Sequence, residues 1–257
     1  MHISDLHFHR LSRRPARYAS KRALGAMNLI LRRRREFPRH RHRRLVQLLR
    51  ELEWSHLLIT GDLTQLGLEE EFALARTELA PLLEQGADRV TVIAGNHDRY
   101  VRPARGEQGF EAYFGEYCGN GEISTRALGP HWSMAAWDSA VPAPWNSAAG
   151  RVRPETLAAT ERWLAELPQG ARVIIANHYP VFFPPPHRYR PRQDLRNQLE
   201  VADWLVRQPV DLYLHGHVHH NWVMTLPGRQ RTLTVVNSAS STQLPPPGAP
   251  SAFHRIV

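Results

Sequence analysis

What most restricts the fold of this chain is where its metal-binding residue types fall: each group follows the end of a short apolar run. The first strand, Met1 to Ser4, ends in Asp5-Leu6-His7, and HLLIT (56–60) ends in Gly61-Asp62. RVTVIA (89–94) ends in Gly95-Asn96-His97-Asp98, and RVIIA (172–176) ends in Asn177-His178. DLYLH (211–215) ends in Gly216-His217-Val218-His219. Short apolar runs bounded by turn residues read as strands. In open α/β sheets, sites form beyond the carboxyl ends of strands. A single histidine after a strand is usually a satisfied loop residue, but five such placements on five runs need a fold that gathers five strand ends at one edge.

The intervening segments fit that requirement. Helical patterns cover 41–53, 68–85, 106–117, 154–167 and 194–208, and WSMAAW (132–137) supplies another strand. Strands separated by helices of this length imply parallel pairing through crossovers. NWVMTL (221–226) and LTVVN (233–237) differ, because PGRQ between them reads as a hairpin turn. AFHRIV (252–257) reads as an edge strand, and the proline-rich stretches 180–193 and 243–250 read as loops. With four residues before Asp5, roughly 13 Å of strand, the first strand is short for a central position: either it is trimmed or the true start lies upstream of Met1.

The donors at the strand ends are carboxylate, amide oxygen and imidazole, without thiolate, a set suited to Mn²⁺, Fe or Zn²⁺. In an extended segment, residues i and i+2 point to one side. Asp5 with His7, and His217 with His219, are therefore expected to aim their side chains from extended pairs. One cysteine, Cys118, excludes an internal disulfide and reads as an inert, partly buried thiol.

Taken in order, D-x-H, GD, GNHD, a lone histidine and GHxH, from Asp5 to His219, resemble the calcineurin-like metallophosphoesterases. The resemblance implies an α/β fold: a four-layer αββα sandwich of two mixed β-sheets flanked by helices, formed by residues 1–257 as a single domain. It implies two divalent metal ions bridged by Asp62. Asp5, His7 and His219 complete the first site, and Asn96, His178 and His217 the second. A water shared by two cations is deprotonated near neutral pH and attacks phosphorus in line. His97 is then expected to hydrogen-bond the phosphoryl group or protonate the leaving oxygen, with Asp98 orienting it. The expected activity is phosphoester hydrolysis, of a diester first. A membrane-surface nucleotide-lipid pyrophosphatase of the UDP-diacylglucosamine type is the alternative, ahead of a nuclease or a non-catalytic scaffold. Asn177-His178-Tyr179-Pro180 stands where relatives commonly carry His-His-Pro. That departure bears on a substrate contact, not on the metals.

Charge is unevenly spread. Residues 8–44 hold fourteen of the thirty-three Lys and Arg and one acid, Glu36, whereas the rest of the chain has nineteen basic against twenty-three acidic residues. A basic segment of this kind seeks a polyanionic partner. Within it, Leu24, Met27 and Leu31, with Ala23 and Ile30 alongside, form a short apolar stripe between arginines. That reads as an amphipathic insert (8–44) whose segment 10–44 meets an anionic membrane surface. A core-packed helix with solvated charges is the alternative, and nucleic acid fits the stripe less well. No apolar run reaches the length of a membrane span and no secretory signal is visible. The expected address is cytoplasmic, with peripheral contact at the inner membrane face.

In the loop 179–197, Tyr179, Phe182, Phe183 and Tyr189 with Arg188, Arg190 and Arg192 are expected to wall a pocket for a base or an acyl chain. His215 and His220 read as packing groups, His40 and His42 as solvated, and Asp138 and Asp211 as structural.

Overall fold

Alternate residues of each strand fall into two separate apolar clusters, and this division organises the molecule. In a computed structural model, residues 1–18, 21–103, 106–119, 121–245 and 251–257 are described. Among them, β1 (His2–Ile3), β2 (Leu57–Ile59) and β3 (Val90–Val92) form a parallel sheet in that order. A second sheet has the order β4-β5-β6-β7-β9-β8. Its strands are β4 (Ser124–Ala127), β5 (Trp132–Ala136), β6 (Arg172–Ala176), β7 (Leu212–His215), β8 (Trp222–Pro227) and β9 (Thr232–Asn237). The four inner strands are parallel, and β4 and β8 pair antiparallel at the edges.

Leu58 and Ile93 from the first sheet meet Met134, Ala136, Ile174, Ala176, Leu214 and Val236 from the second, which makes the seam between the sheets. The residues between them in sequence, such as Leu57, Ile59, Ala135, Val173 and Ile175, belong to the other cluster, which the helices complete. Because both faces are covered, β2 and β3 are uninterrupted apolar runs. Helices α3 (Arg39–Glu51), α4 (Glu69–Leu83) and α5 (Phe110–Cys118) pack as one group, α5 against β3. Helices α6 (Pro154–Glu166) and α7 (Gln198–Arg207) cover the second sheet, where the Trp137 and Trp204 rings meet edge to face. The layers are helix, sheet, sheet, helix, as the resemblance implied. No helix among the described residues is long and apolar enough to cross a membrane.

Three expectations are corrected. The terminal segment AFHRIV is no strand: only His254 pairs, in an isolated antiparallel bridge with His2 beside β1. The edge strand β4 lies where no strand was expected. His42 is buried, not solvated: its Nε2 is 2.7 Å from the Leu6 carbonyl and its ring packs on Phe8. Residues 246–250 of the second proline-rich stretch lie outside the described residues. Asp211 accepts from Val173 N and pairs with Arg172 and Arg231, and Asp138 pairs with Arg99, so both serve the scaffold. The Cys118 thiol donates to Val92 O and Phe114 O, and burial pushes it up to about 12.

Buried neutral histidines make the fold acid-sensitive. Burial pushes His42 and His56 down to about 4 and His215 down to about 3. In the unfolded chain these imidazoles take protons near pH 6.5. Their contribution is therefore complete above pH ~6.5 and is lost as pH falls through the folded values. Denaturant titration of chelator-treated protein should show stability decreasing from pH 6.5 to pH 4; a flat profile over that window would contradict neutral burial.

Candidate metal centre

The five strand ends meet at one place, and the backbone is bent to bring them there. Among the described residues, the non-glycine residues with positive φ are Asp5 (53°), His7 (52°), Asp62 (53°), His217 (76°) and His219 (60°). Each left-handed residue costs on the order of 1–3 kcal/mol, and such strain collects at functional sites. This corrects the expected extended i, i+2 pairs: Asp5 with His7, and His217 with His219, converge through left-handed turns. Two glycines make room. A Cβ on Gly95 would overlap the Asp62 carboxylate, and one on Gly216 would overlap Ser4 Oγ and Asp5 Oδ2.

Two groups of donors result, and a third, His7, Asp62 and His97, overlaps both. Asp5, His7 and His219 offer ligand atoms within 4.8 Å of one another, as do Asp62, His178 and His217. Asn96 joins the second group, with Oδ1 3.1 Å from His178 Nε2. Asp62 stands between them: Oδ2 lies 3.8 Å from His7 Nε2, and Oδ1 lies 3.5 Å from His178 Nε2.

The imidazoles are held so that one nitrogen of each faces inward. His7 Nδ1 is 3.1 Å from Thr64 O and His178 Nδ1 is 2.7 Å from Thr60 O, so in each ring the proton resides on Nδ1. His219 Nδ1 is 2.9 Å from Gln243 Oε1, and His217 Nε2 is 3.5 Å from Asp194 Oδ1. The remaining nitrogens carry lone pairs, yet His7 Nε2 and His219 Nε2 are 3.0 Å apart, and His178 Nε2 and His217 Nδ1 are 3.2 Å apart. Facing lone pairs repel, and a cation between them removes the repulsion. Asp5 Oδ1, buried and without a donor among the described residues, also fits a cation. Donor types, tautomers and the orphaned oxygen all suit two metal ions.

Electrostatics agree. Burial holds His7 well below the usual imidazole range, with the Arg33 guanidinium adding to it, and burial pushes His178 down to about 3. Both are neutral bases, as ligation requires. Burial and the nearby Asp5 and Asp98 carboxylates raise Asp62 well above the usual range, the signature of a carboxylate cluster lacking countercharge.

His97 lies at the same point but is not oriented as expected. Its Nδ1 is 2.6 Å from Gln65 O, and its Nε2 is 3.1 Å from Arg33 Nη1. Asp98 does not touch that ring. It accepts from Leu63 N (3.1 Å), Thr64 N (2.9 Å), Thr64 Oγ1 (2.9 Å) and Gly95 N (2.9 Å), tying the loop of Asp62 to that of Asn96.

A cavity of about 240 Å³ opens over the cluster. Its lining combines Arg33, Asp62, Asn96, His97, His217 and His219 from the cluster and its surroundings with Phe183, His187, Arg188, Arg190 and Asp194 from the loop after His178. Of the residues expected to wall it, Phe183, Arg188 and Arg190 do. Tyr179 is buried and donates to Ala148 O, Phe182 packs on the core, and Tyr189 donates to Leu195 O. His215 is buried beside Tyr213 and Trp222, and the His220 ring packs on His187; neither belongs to a donor group among the described residues.

The sequence model of the calcineurin-like phosphoesterases matches residues 1–221. This chain belongs to that family. The family uses a dinuclear divalent centre, for which the clustered side chains are candidate ligands, and the chain is a metal-dependent phosphoester hydrolase. Among solved structures, a dimetal phosphatase from Danio rerio superposes with a TM-score of 0.65 at 14% identity, covering 95% of this chain and 88% of the other. The purple acid phosphatase PPD1 from yellow lupin (Lupinus luteus) gives 0.53 at 15% identity, covering 96% of this chain and 45% of that one. At these identities the likeness concerns the fold. No curated protein matches the sequence.

Three residues at the site escaped the motif reading: Arg33, Asp194 and Gln243. Gln243 belongs to the small polar run Ser238-Ala239-Ser240-Ser241-Thr242-Gln243 directly after β9. Ser240 Oγ donates to Asp5 O and Thr242 Oγ1 to Leu6 O, so this run fastens the first motif. A polar run at the carboxyl end of a further parallel strand was the available signal.

Proposed function

We propose that this protein is a phosphodiesterase in which Asp62 is shared by two cations from the Mn²⁺, Fe and Zn²⁺ group. Asp5, His7 and His219 hold one, and Asn96, His178 and His217 the other. When bound, the cations supply a nucleophilic hydroxide at neutral pH and withdraw charge from the phosphoryl oxygens. The protein's own groups do the rest. Thr60 O, Thr64 O, Gln243 and Asp194 fix the tautomers of the four imidazoles. Asp98 fixes the separation of the two central loops. His97 faces the cavity, where it can meet a phosphoryl or leaving oxygen.

The observation that carries this reading is Asp62 set between the two donor groups beneath a cavity whose lining adds aromatic and basic side chains to the cluster. A diester has an organic group on each side of phosphorus, and a cavity of about 240 Å³ has room for more than a bare phosphoryl group. Phe183 and His187 offer flat surfaces, and Arg188 and Arg190 offer positive charge. A substrate panel on Mn²⁺-loaded protein tests it: bis(p-nitrophenyl) phosphate, p-nitrophenyl phosphate, cyclic nucleotides, a UDP-linked lipid and single-stranded DNA. The diesters should turn over fastest; preference for the monoester would overturn the diester assignment.

One observation favours the second reading, a nucleotide-lipid pyrophosphatase at a membrane. Leu24 (54% exposed), Met27 (56%), Ile30 (56%) and Leu31 (69%) project from the basic insert into solvent. The packed face of that helix is a different one, with Ala26 and Leu29 against Leu66 and Leu68. An apolar stripe ringed by arginines suits an anionic bilayer. In that case the UDP-lipid is the preferred substrate, and sedimentation with anionic vesicles is lost in a Leu24→Ser/Leu31→Ser variant. Binding that ignores those leucines and weakens steeply with salt would indicate nucleic acid instead.

A further inference from the structure

The basic insert does more than carry an apolar face. It reaches the metal centre. Helix α1 (Lys21–Asn28) passes through a π-helical stretch, Leu29–Arg33, into the short turn α2 (Arg34–Glu36). Such π stretches often occur at functional sites, because they turn a side chain away from the regular helical position. Here the stretch ends in Arg33, which lines the cavity with Asp62, Asn96 and His97.

From this geometry we propose that Arg33 is the residue that binds the substrate's phosphoryl group beside the metal ligands, setting its orientation and affinity. This rests on the functional reading above and deepens it. Three observations support it. Arg33 Nη1 lies 3.1 Å from His97 Nε2 and 2.8 Å from Gln65 Oε1, so the guanidinium is anchored beside the reacting position by one nitrogen. Its Nε and Nη2 have no hydrogen-bond partner among the described residues, which leaves donors for phosphoryl oxygens. Its plane is backed by the Phe37 ring at 5.8 Å, and Phe37 also packs on His7. A planar fork with spare donors, held at the rim of a cavity that takes a phosphoric ester, is the arrangement that recognises phosphate.

A purely structural role is the competing account: Arg33 would merely brace Gln65 and His97. Phosphate binding separates the two. Calorimetric titration of Mn²⁺-loaded protein with inorganic phosphate should show affinity weakened about ten- to hundredfold in Arg33→Met, the scale of a charged hydrogen-bonding pair. Metal content by elemental analysis and the melting temperature should be unchanged. Arg33→Lys, which keeps charge but not the fork, should fall between. With bis(p-nitrophenyl) phosphate, KM should rise by a similar factor in Arg33→Met, and added guanidinium should restore part of it. Gln65→Leu removes the brace and leaves the cation, so phosphate affinity should change by no more than about fivefold, the scale of one neutral hydrogen bond. Unchanged phosphate affinity in fully metallated Arg33→Met overturns the proposal and leaves the metal centre standing, as does an equal loss in Gln65→Leu. Wild-type protein that takes up no metal overturns the functional reading itself, and this proposal falls with it.

Discussion

Asp62→Ala should abolish metal binding and turnover together while leaving the protein folded. The two donor groups share only this carboxylate, whose oxygens stand 3.8 Å and 3.5 Å from the inward nitrogens of His7 and His178. Without it, cations held by the two donor groups would have no carboxylate between them to offset their repulsion. Losing a supporting contact behind a ligand typically costs about 10–100-fold in metal affinity, and losing a shared ligand should exceed that. Stability should move the other way. In the metal-free protein Asp62 is buried near Asp5 and Asp98, and burial with like charge holds it far above the ordinary carboxylate range. Removing it relieves that repulsion, so metal-free Asp62→Ala should melt no lower than metal-free wild type. Elemental analysis after gel filtration, rates on a diester and thermal melts with and without chelator check the three parts. Full metal stoichiometry in the variant would refute the shared-ligand assignment.

How much of this was legible in the sequence depends on how far apart in the chain the cooperating residues lie. Asp5 with His7, and His217 with His219, are two residues apart, and Asn96 is next to His97. Residue type and position after a strand therefore exposed them without knowledge of the fold. The conformation that aims them did not follow. Left-handed backbone at aspartate and histidine has no residue signature of the kind glycine gives, so extended pairs were the natural expectation and turned out wrong. Residues acting across long separations were hidden as well. Arg33 and His97 are 64 residues apart, and Gln243 lies 24 beyond His219. No local pattern marks such partners.

The basic segment shows a different limit. Its composition pointed to an exposed basic segment, yet Arg22, Ala26, Leu29 and His42 face inward because helical period outranks composition. On α3, His42 shares a buried face with Leu45, Val46 and Leu49, spaced three, four and seven residues along. In the insert, Leu24, Met27 and Leu31 form a good stripe, but Arg22, Ala26, Leu29 and Arg33 form another at helical spacing. The second one packs, because Arg22 donates to the Leu66 and Gly67 carbonyls and Leu29 fills the space against Leu66 and Leu68. Sequence showed two possible faces; contact with the loop after β2 selected one.

The His97 side chain should prove separable from the metals, unlike Asp62. Its backbone N–H donates to Asp62 Oδ1 at 2.8 Å, a contact that His97→Ala retains, and Asn96 is held independently of the ring. The variant should therefore bind both cations. Its rate should fall about 10²–10⁴-fold where the leaving group needs a proton. The Arg33 contact makes the assignment specific. With Nδ1 turned to Gln65 O, the ring presents only Nε2 to the cavity, and in the resting protein that nitrogen accepts from Arg33. Burial and the Arg33 guanidinium hold the ring well below the usual imidazole range, so proton donation requires Arg33 to turn to the phosphoryl group and Nε2 to take a proton from solvent water, which it then passes to the leaving oxygen. The loss in His97→Ala should then be large for an alkyl leaving group and small for p-nitrophenolate, which leaves without help. Equal losses for both would assign His97 to phosphoryl binding alone. Loss of one metal per chain would instead make it a ligand, consistent with its ring nitrogen lying within 4.8 Å of those of His7 and Asp62's oxygen.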